Sequence, residues 1–171
     1  MRRLIIQAPV IFASLFTGCR PVDTGRPPTV RFGEEACASC RMIIGDEHFA
    51  AALVTPAGDA LKFDDIGCLI EHEPDEIRHG VAYWVRDAEG REWLDARQAT
   101  FVHSPRVASP MGFGLAASPA GQAAGESPGR TLRFHELPGF LADRLREAES
   151  GRSNAEAGGR GPEPPPTRAD L

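Results

Sequence analysis

The chain has 171 residues and a formal net charge of -5, with charges of both signs interspersed along it. It carries no basic stripe of the kind that tracks a phosphate backbone, which points away from nucleic acid as a partner. Beyond the N-terminus no apolar run approaches the roughly 20 residues that a membrane-spanning helix requires, so the body of the chain reads as a soluble domain.

Arg2 and Arg3 form a basic start, Leu4 to Phe16 an apolar stretch interrupted by Gln7 and Pro9, and Leu15-Phe16-Thr17-Gly18-Cys19 ends it. Such a segment is a targeting signal and stands outside the fold. A small residue immediately before a cysteine is the pattern of a bacterial lipoprotein signal. Residues 1–18 are therefore expected to be removed, leaving Cys19 as the lipidated N-terminus outside the cytoplasm. Arg20 stands where inner-membrane retention often has aspartate, which leans toward the outer membrane. Residues 19–32, rich in Pro, Gly and Arg, read as a tether between lipid and domain. Residues 33–149 read as one folded domain, and 150–171 as a disordered Gly/Pro-rich tail with no apolar periodicity.

Within the domain, Met42-Ile-Ile-Gly45 precedes an alanine-rich strand, Phe49 to Thr55, and Leu61-Lys-Phe63 reads as a second strand. Ile66, Leu69 and Ile70 then fall at i, i+3 and i+4, a helical pattern that Asp64 or Asp65 can cap. Val81 to Asp87, Trp93 to Asp95 and Ala99 to His103 are β-rich and separated by turn residues. Met111-Gly-Phe-Gly114 leads into Leu115-Ala-Ala-Ser118. Leu132-Arg-Phe-His-Glu-Leu137 then repeats the apolar, basic, Phe, polar, acidic, apolar pattern of Leu61 to Ile66, and enters a helix marked by Leu137, Phe140, Leu141 and Leu145, with Pro138 in its first turn. Met42 and Met111 occupy similar places ahead of the two copies. The expected architecture is α+β, one small domain of two pseudo-symmetric ββα-type repeats, with both methionines approaching one site at their junction.

Three cysteines remain once Cys19 is lipidated, and in an oxidising compartment three thiols cannot all pair. Either Cys37 and Cys40 close a disulfide while Cys68 packs as a small hydrophobe, or some of the three are metal ligands. For Cys68 alone, burial in the core is the stronger expectation. Thiolate and thioether sulfurs are the donors that soft Cu(I) prefers, so Cys37-Ala-Ser-Cys40-Arg-Met42 outside the cytoplasm suggests copper handling. Cys40 and Met42, two apart, share a side if extended, and with Met111 they make an S3 site. Cys37 is a fourth ligand or the redox partner of Cys40. Asp65, Cys68 and His72 at i, i+3 and i+7 form an auxiliary metal face or a solvated helix surface. His48 and His103 are further ligand candidates of lesser weight. Zinc is disfavoured because His72 and His79 are too far apart for the usual pair, and a thioredoxin-like role because no helix follows the C-x-x-C. A thiol-disulfide redox lipoprotein remains the alternative. No catalytic constellation stands out, so a carrier is expected and not an enzyme.

Cys37-Ala-Ser-Cys40-Arg-Met42-Ile-Ile, Phe63-Asp64-Asp65-Ile-Gly67-Cys68, Trp93-Leu94-Asp95-Ala96-Arg97 and Ser109-Pro-Met111-Gly112, in this order behind a lipobox, closely resemble the NosL family of nitrous oxide reductase accessory lipoproteins. The resemblance covers most of Ala36 to Leu145. It implies a monomeric, periplasm-facing Cu(I)-binding lipoprotein that passes copper to nitrous oxide reductase assembly. Its implied partners are an ABC-type membrane transporter and that transporter's periplasmic protein. Two departures stand out: Arg41 where the family motif more often has Gly, and no Pro-rich segment after Met111.

Overall fold

In a computed structural model of the chain, the structure describes residues 24–72, 79–90, 92–122 and 129–158, with side chains through 152. The expected signal peptide and Cys19 lie outside these residues. Among the described residues no helix is long and apolar enough to cross a membrane.

Seven strands form two antiparallel sheets. Strands β1 (Ala51–Val54), β2 (Ala60–Phe63), β3 (Ala82–Arg86) and β4 (Trp93–Asp95) make the first, in the order β2-β1-β3-β4. Strand β1 is buried at all four positions because it pairs on both edges, Leu53 opposite Leu61 and Tyr83, Ala51 opposite Phe63 and Val85. The period-2 alternation of β3 sends Tyr83 and Val85 into the core, and Trp84 and Arg86 to the other face. There the Arg86 guanidinium lies 5.5 Å from the Trp93 ring centroid and bonds Glu47 at 3.0 Å.

The second sheet comprises β5 (Thr100–His103), β6 (Leu115–Ser118) and β7 (Arg130–Arg133), ordered β6-β5-β7. Phe101 on the central strand sits between Ala117 and Leu132. A 3-10 turn, Phe134–Glu136, then places the Phe134 ring 5.2 Å from Tyr83 and 6.0 Å from Phe101, tying both sheets together. Helix α1 (Ile66–His72) follows β2, and α2 (Leu137–Gly158) follows the 3-10 turn. The two helices touch each other, α1 buries Ile66 through Ile70, and α2 buries Leu137, Phe140 and Leu141.

The α+β class is the one expected, and both strand-into-helix passages form where the sequence places them. The repeat symmetry is not seen. In the first unit β1 and β2 pair directly, whereas their expected counterparts β6 and β7 are separated by β5. The boundaries also move. Val30 and Phe32, assigned to the tether, pack against the core. Helix α2 continues past Glu149 to Gly158, into the stretch read as disordered tail. Ser150, Gly151, Ser153 and Asn154 are weak helix formers, so local propensity does not account for the extension.

Candidate metal centre

The site begins with a tight loop. Ala36 and Ile43 form an antiparallel bridge, and between them the Cys37 N–H donates to the Met42 carbonyl at 2.8 Å and the Arg41 N–H to the Cys37 carbonyl at 3.2 Å. Closing the loop puts Arg41 at φ 66°, a left-handed conformation that costs an L-residue roughly 1–2 kcal/mol. The Ala38 N–H donates to the Lys62 carbonyl at 2.8 Å, which seats the loop on β2. That strand runs through Asp64 and Asp65 into α1, so its geometry delivers Cys68, in the first turn of the helix, to the same place.

The result is a cluster of three thiols. The Sγ atoms of Cys37, Cys40 and Cys68 all lie within 4.8 Å of one another, and no disulfide joins them. A metal–thiolate bond of about 2.3 Å in trigonal geometry sets sulfurs about 4 Å apart, so small side-chain adjustments close this set on one ion. Cys37 is fully buried and Cys68 is 1% exposed, while Cys40 is only half-buried and forms the accessible corner.

The three sulfurs differ electrostatically. Burial pushes the Cys37 thiol up, but the backbone N–H groups of Asp64, Cys40 and Ser39, with the Cys40 thiol, outweigh it and hold Cys37 below the ordinary thiol value. Burial raises Cys40 against the Met42 N–H, and the nearby Cys37 sulfur adds to the rise. Burial raises Cys68 furthest, reinforced by negative charge at Cys37 and Cys40. Cys37 is thus the thiol whose surroundings favour the thiolate, and Cys68 one whose surroundings oppose it.

Around this cluster Asp65 caps α1. Its Oδ1 accepts the Gly67 N–H at 2.9 Å and its Oδ2 the Met111 N–H at 3.0 Å, and it also takes a hydrogen bond from the Ser109 side chain. Its carboxylate is fully buried, and burial raises its pKa against these donors and in step with the charge of Asp64. Asp64 accepts the Gly45 N–H at 3.0 Å.

Cys37 and Cys40 therefore come together as expected, and Cys68 joins them. This corrects the expectation that Cys68 is core filler alone, for it is buried and also carries a sulfur of the cluster. The helix face proposed for Asp65, Cys68 and His72 is corrected as well. Asp65 and Cys68 point inward beside Ile66 and Ile70, while His72 is exposed with its ring 5.4 Å from Phe63. Met42 and Met111 stand at the surface, 59% and 42% exposed. His48 bonds Asp46 at 2.7 Å, and the His103 ring lies against Phe140 at 4.8 Å. Neither imidazole joins the thiols.

Fold and site together define a small α+β domain whose buried thiol cluster has the donor set and spacing of a soft-metal site. The NosL family profile matches residues 30–141, well over half of the chain, and the chain belongs to the NosL family. Among solved structures it is similar to the copper chaperone NosL from Shewanella denitrificans, at 20% identity and a TM-score of 0.52. That match covers 63% of this chain and 92% of the other and shows a shared fold. No curated protein matches the chain.

Proposed function

We propose that this NosL-family chain is a Cu(I)-carrying lipoprotein, anchored through Cys19 on the periplasmic side of a bacterial membrane, that delivers copper for assembly of nitrous oxide reductase. The observation that carries the reading is the convergence of Cys37, Cys40 and Cys68 within 4.8 Å, largely shielded from water. Soft thiolates select Cu(I) over harder ions, and burial excludes water and oxidants. A carrier must also release its cargo. The half-buried Cys40 and the exposed thioethers of Met42 and Met111 suit stepwise ligand exchange, since methionine sulfur needs no deprotonation and forms no disulfide. Copper is then cargo, and the chain performs no catalysis of its own. The recipients proposed are the nitrous oxide reductase assembly proteins, an ABC-type transporter and its periplasmic partner, served by a monomeric carrier.

The test is an anaerobic Cu(I) titration of the chain from Arg20 against a competing chelator, with Zn(II) alongside. Tight one-to-one Cu(I) binding with little zinc affinity supports the carrier. No copper binding by the fully reduced protein returns the thiols to a disulfide redox role.

A further inference from the structure

A simple helix cap needs one acceptor, yet Asp65 uses both oxygens and sits at 0% exposure. Oδ1 satisfies Gly67 in its own helix, while Oδ2 reaches a residue 46 positions away, the Met111 N–H, with the Ser109 side chain beside it. Burying a carboxylate is costly unless it is fully hydrogen-bonded, so the arrangement forms as a unit or not at all. The same loop is fastened at a second point. A Cβ on Gly67 would collide with the Phe113 ring, which means that ring lies flat on the bare helix backbone one residue from Cys68. The loop is also stitched internally, the Gly112 N–H to the Ser109 carbonyl at 3.0 Å and the Gly114 N–H to the Ser109 Oγ at 3.1 Å. On this fixed loop Met111 stays 42% exposed.

We propose that Asp65 is a positioning residue for copper transfer, its carboxylate holding the Ser109–Gly112 loop, and with it the exposed Met111 thioether, against the helix turn that carries Cys68. The inference rests on the Cu(I)-carrier reading. In the transfer step a bond forms from Met111 Sδ to Cu(I) as one copper–thiolate bond breaks. Copper stays monovalent, and the freed thiolate takes a proton from water. Holding the thioether in place raises its effective concentration at the departing ion, so loosening the loop slows transfer without removing a thiol ligand.

The experiment uses Cu(I)-loaded chain from Arg20 in wild-type, Asp65→Asn, Met111→Leu and doubly substituted forms. Transfer to excess bicinchoninate is followed by stopped flow, beside the equilibrium affinity and the NMR signal of the Met111 methyl group. Asp65→Asn is expected to keep the thiolate–copper absorption and the equilibrium affinity. It slows transfer by about tenfold, the scale of one charge-assisted hydrogen bond, and abolishes the Cu(I)-induced shift of the Met111 methyl signal. The double variant is no slower than the slower single one. Transfer at the wild-type rate in Asp65→Asn, or slowing that multiplies in the double variant, overturns the proposal while the carrier reading stands. Wild-type protein that binds no Cu(I) sinks both. If Asp65→Asn fails to fold, Ser109→Ala, which removes one donor to the same carboxylate, is read by the same criteria.

Discussion

Replacing Gly67 by alanine sets two effects of opposite sign against each other. Alanine is favoured over glycine inside a helix by roughly 1 kcal/mol. At this position, however, the new Cβ lands on the Cγ, Cδ1 and Cδ2 atoms of Phe113, the body of an aromatic ring and not the tip of a flexible chain. The ring cannot simply slide, because Ser109 and Met111 on its own loop are bonded to the buried Asp65. Overpacking costs about 1–3 kcal/mol, and a clash with three ring atoms belongs to the upper part of that range, about 2–3 kcal/mol, so the clash outweighs the propensity gain and the variant loses about 1–2 kcal/mol net. For a domain of this size that corresponds to a fall in Tm of roughly 4–8 °C. The assay is thermal unfolding followed by circular dichroism, with Phe113→Ala and the double variant completing a cycle. Phe113→Ala removes the obstacle, so Gly67→Ala should be harmless or stabilising in that background, a coupling on the order of 1–3 kcal/mol. Gly139→Ala is the control. It lies in α2 with nothing within 4 Å of its Cβ and should gain a few tenths to 1 kcal/mol. A Gly67→Ala protein at least as stable as wild type would refute the reasoning, and with it the close seating of the Phe113 loop on α1.

Cys68→Ser should weaken Cu(I) binding at least about tenfold, since even residues outside the ligand set commonly matter that much; unchanged affinity in the chelator competition would return Cys68 to the core. Arg41→Gly relieves the left-handed backbone at φ 66° and should raise stability by about 1 kcal/mol, read as a higher urea midpoint at unchanged slope. His103 has its pKa lowered by burial first and then by the charges of Arg144 and Arg130. The unfolded chain therefore takes up the proton more readily than the folded one. Stability should be complete above the ordinary histidine value of 6.5 and fall as pH drops through it toward the lower folded value. His103→Gln should flatten that part of the urea-midpoint profile, and an unaltered profile would show that other groups cause it.

The elements set by local pattern were legible in the sequence. Leu61 to Ile70 reads as strand, cap and helix because alternation gives way to a 3.6-residue period at an aspartate, and the structure forms that passage with Asp65 as the cap. Sheet partners were not legible. Similar hexapeptides at Leu61 and Leu132 both enter helices, yet nothing local says that β5 inserts between β6 and β7. The outer limits of the domain are not legible in composition. Val30 and Phe32 are isolated apolar residues among prolines and arginines, and only their contact with the core reveals them. Within the site, the pairing of Cys37 with Cys40 follows from their spacing. The entry of Cys68 depends on the Ala38–Lys62 backbone bond that lays the loop beside the β2–α1 passage, a contact with no sequence signature. A cysteine in a helix turn just after the strand is the available clue, and it is a weak one because unpaired cysteine is so often buried for packing alone.

The central claim is that this cluster holds Cu(I) by sulfur. Copper K-edge X-ray absorption on protein loaded anaerobically with one equivalent of Cu(I) tests it most directly. The account predicts a monovalent edge and a first shell of sulfur alone, with the shell losing intensity in Cys68→Ser. A first shell dominated by nitrogen or oxygen, or one unaltered by that substitution, would contradict it.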